Sequence, residues 1–307
     1  MALKFKRRRT QNVTGNLFVD ESCIDCDACR WMAPATYKRV GLGAAVHKQP
    51  GTESEVQGAL RAVLACPTGS IRSLKGDPRV KAAFTQFPVA VAPDQLKGIF
   101  HLGFHTVASG GSTPYLIVPP SRQNIMVDVP RYSKRLADLV DAAGGVRYLF
   151  LTHGDNAHGH AAWKARFPAA ERVMHAFDTL PHTRRVERRI DGDGPWQLDP
   201  EGTAKIVYTP GHTYGSCALL YAPARALFTG DAVGWSWRRD ALDGWSRENR
   251  AGLPRQAASM RALAEEDFEW MLPGRGRQLK FANADERRGQ LLEAADAFEA
   301  AGQSFTL

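Results

Sequence analysis

Four cysteines and a run of histidines and aspartates carry the chemistry that this sequence can do. The cysteines are spaced Cys23-x2-Cys26-x2-Cys29, with Cys66-Pro67 remote from them. Three thiolates from one tight loop and a fourth, followed by proline, from elsewhere form the ligand set of a bacterial-type iron-sulfur cluster. One complete set predicts one [4Fe-4S] cluster on Cys23, Cys26, Cys29 and Cys66. A structural four-cysteine zinc site is the competing reading, and the triplet is poor zinc spacing. Cys217, in Ser216-Cys217-Ala218-Leu219, stands apart and reads as a buried apolar residue.

The second set begins with Thr152-His153-Gly154-Asp155-Asn156-Ala157-His158-Gly159-His160, which follows the apolar run Tyr148 to Leu151. Side chains placed at a strand's end are where sites are usually built. Further on come Thr209-Pro210-Gly211-His212, Thr229-Gly230-Asp231 and Leu272-Pro273-Gly274-Arg275-Gly276.

The cysteine segment, with Ala65-Cys66-Pro67-Thr68-Gly69-Ser70, resembles single-cluster bacterial ferredoxins over about residues 17–75. The four later pieces, in their order, resemble the metallo-β-lactamase superfamily over about residues 89–302. That resemblance implies an αββα sandwich with metals at one sheet edge. The family's first motif is His-x-His-x-Asp-His, and here Asp155 stands at the second histidine position. Without a gap Ala157 replaces the aspartate and His158 remains; with a two-residue insertion Gly159 replaces it and His160 remains. Arg275 stands where the family places a last histidine. The second metal position has thus lost at least two ligands, while the first keeps His153, Asp155 and His212, with Asp231 as a further oxygen ligand. Two histidines and carboxylates with open positions suit one Fe(II) ion, and zinc accepts them too. Flavodiiron proteins, a redox branch of the superfamily, also put a carboxylate at the second histidine position. Arg275 cannot ligate a metal; it either pairs Asp231 as a structural salt bridge or acts with it catalytically, gripping an anionic substrate. His101 and His105 read as structural.

Positioning these residues takes several elements. Strand-length apolar runs occur at Ile99 to His105, Tyr115 to Val118, Ile125 to Val129, Tyr148 to Leu151, Ile206 to Tyr208, Ala218 to Tyr221 and Ala226 to Phe228. Helical periodicity follows Ser133 to about Ala143, covers Ala161 to Phe167, and returns from Glu286 to Ala300. The fold class expected is α+β: a small ferredoxin-like domain followed by the αββα sandwich. The divisions expected are a basic tail at 1–16, a cluster domain at 17–75, a Gly/Pro-bearing linker at 76–88 and the second domain at 89–302.

With 307 residues, 44% of them hydrophobic and 23% charged, the chain has enough apolar side chain for two cores without disulfides. The net charge of +8 owes part to Lys4, Lys6, Arg7, Arg8 and Arg9, which read as a solvated terminus. Such a run is weak ground for a nucleic-acid arm or for a docking patch toward an acidic redox partner. No membrane-length apolar stretch and no secretory core is present, and thiols patterned as ligands suit a reducing compartment, so a cytoplasmic protein is expected. Three accounts of function follow. In the first, an oxidoreductase passes electrons between the cluster and a mononuclear metal site acting on a small, anionic molecule. In the second, a metal-dependent hydrolase of esters, lactones or thioesters carries a structural or sensory cluster. In the third, the protein transfers electrons or binds without catalysis.

Overall fold

The computed structural model describes residues 6–303; residues 1–5, Lys4 of the basic run among them, lie outside the described residues. The first unit pairs strand Leu17–Val19 antiparallel with Ile71–Ser73, so the two ends of the cysteine segment are tied together. A hairpin, Tyr37–Arg39 with Ala44–Val46, and helices Ala28–Met32 and Glu53–Ala65 complete it. The longer helix starts at Thr52, whose hydroxyl accepts from Glu55 N–H while Glu55 reaches back, a capping box. Its core consists of Leu17, Val19, Tyr37, Ala44, Val46, Ala59, Ala62 and Ile71 around Cys29. Residues 6–16 fold against this unit: Arg9 N–H donates to Val19 O, and the Arg9 side chain to Val40 O. Residues 76–88 contain a helix, Val80–Phe84, whose Ala83 packs on Val56 and Leu60.

The second unit is two sheets face to face. One runs Arg188–Ile190, Glu171–His175, Tyr148–Phe150, Ile125–Val127, Tyr115–Ile117, Ile99–His101, Val89–Ala90; its first four strands are parallel. The other runs Trp196–Gln197, Ala204–Tyr208, Cys217–Tyr221, Ala226–Gly230, Trp270–Pro273, Leu279–Lys280. Tyr148 and Phe150 face the inter-sheet core with Cys217, Leu219 and Phe228, whereas Leu149 and Leu151 face outward under helices Lys134–Ala142 and His160–Arg166. Helices Leu253–Ala264 and Ala284–Gln303 cover the other sheet. Burial of both faces explains why these strands read as continuous apolar runs, and the layers are α, β, β, α.

The first long run ends its strand at His101, because Gly103 and Phe104 turn the chain with φ of 64° and 49°. A Cβ on Gly103 would fall 2.3 Å from the Phe87 ring, so glycine is required there. Among the elements with no counterpart in the sequence reading, Glu171–His175, Leu253–Ala264 and Trp270–Pro273 bear most on the site. The cluster unit docks on this sandwich with Met32 and Leu64 packed into the second unit's core, and His105 N–H bonded to Ala65 O at 3.2 Å.

Candidate functional site

Asp25 and Asp27 hold the cysteine loop in the left-handed region, with φ of 58° and 73°. The turn brings the Cys26 and Cys29 side chains to the same small pocket as those of Cys23 and Cys66. Buried Arg30 braces it by pairing with Asp25 at 2.5 Å and with Asp27. Ala44 N–H donates to Cys23 Sγ at 3.4 Å and Ser70 N–H to Cys66 Sγ at 3.3 Å, the amide support that thiolate ligands need. Burial pushes the Cys26 thiol up to about 12 and Cys29 well above its ordinary value, so these groups ionise only beside a strong positive charge. The donor set therefore fits an iron-sulfur cluster. Cys217 lies elsewhere, in the inter-sheet core.

The second site forms where strand ends meet. His153 follows Tyr148–Phe150, Asp231 follows Ala226–Gly230, and Arg275 follows Trp270–Pro273; His212 sits on the loop after Ala204–Tyr208. Gly230 permits the approach, since a Cβ there would lie 2.7 Å from Thr152. Thr152 is anchored by Asp128, which accepts its N–H and Oγ–H at 2.9 Å each and an Asn156 amide at 2.8 Å. Thr152 Oγ1 lies 3.0 Å from His153 Nδ1, and because that hydroxyl donates to Asp128, Nδ1–H donates to its oxygen and the Nε2 lone pair faces the site.

Sequence reasoning missed Asp178, in the turn after Glu171–His175. Its carboxylate accepts from Gly154 N–H and Thr213 Oγ1, both at 2.7 Å, and from Gly215 N–H at 3.0 Å, so one buried group stitches the His153 loop to the His212 loop. No motif marks it, because its partners are all tertiary. Arg250 was missed for the same reason.

His153, His212 and Asp231 are buried, and ligand atoms of all three lie within 4.8 Å of one another. His153 Nε2 and His212 Nε2 are 3.9 and 3.8 Å from Asp231 Oδ2, and none of these three atoms has a hydrogen-bond partner among the described residues. Buried polar atoms so left are costly. Converging lone pairs at this separation fit one metal ion, and Asp155 Oδ2 adds a fourth at 3.5 Å from His212 Nε2. Each carboxylate also carries an arginine. Arg250 grips Asp155 with both arms at 3.1 and 2.7 Å. Arg275 Nε lies 2.9 Å from Asp231 Oδ2, out of line for a hydrogen bond. His212 and Arg250 hold the Asp155 carboxyl well below its usual range. Burial pushes Asp231 up, but Arg275, His153 and His212 outweigh it and the net displacement is downward.

The structure does not bring His158 or His160 to this group. His158 stacks on His182 at 4.5 Å, and His160 spends its two nitrogens on His182 O at 2.9 Å and Arg172 at 3.0 Å. His101 and His105 face each other under the cluster unit, with Nε2 atoms 2.8 Å apart and Trp31 edge-on to His101.

The two sites are neighbours. A Cβ on Gly111 would fall 2.7 Å from Cys26 Cβ, and one on Gly110 would fall 2.5 Å from Arg275 Nη2. A cleft of about 360 Å³ runs between the units, walled by Cys26, Asp27, Trp235, Trp237, Trp245 and Arg275. Trp237 Nε1–H bonds Asp27 across it. A shallower groove of about 530 Å³ continues past Gly110, Glu248 and Arg275 to Asp155 and Arg250.

Two family models match the chain: the 4Fe-4S single cluster domain of ferredoxin I over residues 19–73, and the metallo-β-lactamase superfamily over residues 109–275. A hydroxyacylglutathione hydrolase of Hyphomonas neptunium is 26% identical over 120 residues, which is 39% of this chain and 46% of that protein. The chain thus spans about half the length of that relative. Among solved structures, the metallo-β-lactamase DIM-1 is 19% identical, with 64% of this chain and 94% of that one covered at a TM-score of 0.48. A metallo-β-lactamase of Erythrobacter litoralis is 17% identical, with 61% and 81% covered at 0.46.

Proposed function

Because the chain belongs to the metallo-β-lactamase superfamily and carries a single-cluster ferredoxin domain ahead of that fold, we propose that it is an oxidoreductase in which single electrons pass between the cluster and one metal ion in the second domain. The observation that carries this reading is the Gly110-Gly111 step. One of these two glycines touches a cluster cysteine and the other touches the arginine paired with Asp231. Adjacent Cα atoms are about 3.8 Å apart, so the chain leaves no room for a third layer between the sites.

Cys23, Cys26, Cys29 and Cys66 hold the cluster, which supplies one electron at a time. His153, Asp155, His212 and Asp231 hold the ion, iron or zinc, which supplies Lewis acidity and, as iron, redox chemistry. Arg275 keeps a fixed positive charge where a second ion would otherwise sit, so Asp231 stays ionised without it. Trp237 reaches across the cleft to Asp27, and Met32 and Leu64 fix the cluster unit against the second unit's core beside it. A small molecule in the cleft would lie within reach of both.

Reductive titration of anaerobically purified protein tests this. Uptake beyond the cluster's single electron is expected, with the excess lost in His212→Ala. The kinship with a hydroxyacylglutathione hydrolase favours a second reading, metal-dependent hydrolysis of a thioester. If uptake is one electron in both proteins, and thioester hydrolysis persists undiminished when Cys26→Ala removes the cluster, hydrolysis takes the place of redox chemistry.

A further inference from the structure

We propose that Glu248 occupies, within the protein itself, a binding site for a small carboxylate ligand on Arg275. Arg275 has two faces. Its Nε edge is fixed against buried Asp231, while Nη1 reaches Glu248 Oε2 at 2.8 Å. Asp231 is 2% exposed and cannot turn away, whereas Glu248 is 48% exposed. Glu248 ends a single 3-10 turn, Ser246–Glu248, entered through Trp245 at φ 53°, a conformation that bulky residues seldom hold. An ion pair whose carboxylate is half in solvent contributes little to stability, so Glu248 is held loosely where it stands.

The position of this pair gives it meaning. Gly110, Glu248 and Arg275 all line both the cleft toward Cys26 and the groove toward Asp155. Glycine at 110 leaves the Nη edge open, since a Cβ there would meet Nη2. A guanidinium takes a carboxylate in a two-point fork better than any other side chain does. With Glu248 swung into solvent, a ligand carboxylate on this edge would lie beside Asp231 on one side. Its body would lie along Trp235 and Trp245 on the other. A carboxylate carrying a planar or apolar body is therefore the class of ligand the cleft fits. Its standing as the substrate rests on the function proposed above; the binding itself does not.

Calorimetric titration of the cluster-loaded protein with benzoate tests the site, with benzamide as the uncharged isostere and choline chloride holding ionic strength constant. Benzoate is expected to bind and benzamide to fail. Glu248→Gln, which removes the internal competitor, is expected to tighten benzoate about threefold. Arg275→Lys keeps the charge but loses the fork and is expected to weaken it about tenfold, with cluster absorbance unchanged as the sign of an intact fold. Equal affinity of Glu248→Gln and wild type, or equal binding of benzoate and benzamide, overturns the proposal. Benzoate binding without electron uptake at the second site leaves this site standing and rejects the redox reading alone.

Discussion

In the N-terminal unit the four thiols come from one loop and one helix end, and the charges that brace them, Asp25, Asp27 and Arg30, lie among them in sequence. In the second unit the candidate ligands hang from three different strand ends, with His153 and Asp155 sharing one, and the groups that brace them come from further away still. Asp178 joins two loops, while Arg250 and Arg275 neutralise two carboxylates. Local construction keeps a ligand pattern intact as a unit. Distributed construction lets single positions be replaced, and here arginines stand beside carboxylates that in a two-ion site would be neutralised by metal.

The sharpest break between the two comes from removing one ligand from each. Cys66→Ser is expected to abolish the cluster, leaving protein without brown colour and without its roughly four irons and four sulfides. Cys217→Ala should keep all of them. His212→Ala is expected to release any second-domain metal while cluster iron is unchanged, both read by anaerobic metal analysis. Two fully occupied ions in the wild-type second domain would show that the arginines do not substitute for a metal.

A smaller effect separates local from distributed bracing. Asp178→Ala removes the acceptor of three donors and strands two buried backbone groups, Gly154 N–H and Gly215 N–H, while Thr213 Oγ1 keeps Ser216 Oγ. Leaving buried donors unsatisfied costs about 1–3 kcal/mol each, with partial relief by water, so a loss of about 2–4 kcal/mol is expected by denaturant unfolding. Second-domain metal affinity should fall with it. Cluster absorbance should not.

The sandwich was legible because its central strands are covered on both faces, and Tyr148 to Leu151 or Ile125 to Val129 read as strands whatever their partners. Helix Leu253–Ala264 was not, because Gln256 and Ser259 point inward and break its apolar stripe. Gln256 is buried to bond the carbonyls of Ala232 and Gly244, a tertiary reason that no periodicity carries. The cluster cysteines were legible as a pattern. The choice between His158 and His160 was not, because what takes both of them, His182 and Arg172, is brought close only by folding.

Acid should also tell the two units' interface from the sites. Burial lowers His101 well below its ordinary value and His105 to about 4, with Arg61 and Arg131 adding to the displacement. The folded protein therefore holds both rings neutral, whereas unfolded histidine titrates near ~6.5. The unfolded state binds more protons below that value, so this contribution is fully present above about 6.5 and is lost as pH falls toward about 4. A loss on the order of 1–3 kcal/mol is expected across that window, measured by unfolding at successive pH values. His105→Gln should flatten the slope, and an unchanged slope would place the acid sensitivity elsewhere.

The smallest expected effect concerns the bond across the cleft. Trp237 Nε1–H donates to Asp27, which lies between two cluster cysteines and whose carboxylate also pairs with Arg30. Burial pushes the Asp27 carboxyl up, while Arg30 and Trp237 work against that. Trp237→Phe keeps most of the ring and removes the donor, so about 1–2 kcal/mol of stability should be lost, roughly 2–4 °C in Tm for a protein of this size. The loss should fall on the cluster unit, because Asp27 fixes the left-handed turn that aims Cys26 and Cys29. Oxygen bleaching of the cluster is therefore expected to speed up while second-domain metal content stays constant. Should bleaching keep its wild-type rate, the docking of Trp31 on His101 and of Met32 and Leu64 in the shared core suffices to shield the cluster. The bond would then serve only to hold the hairpin Gly234–Ser236 with Ala241–Asp243 over the cleft.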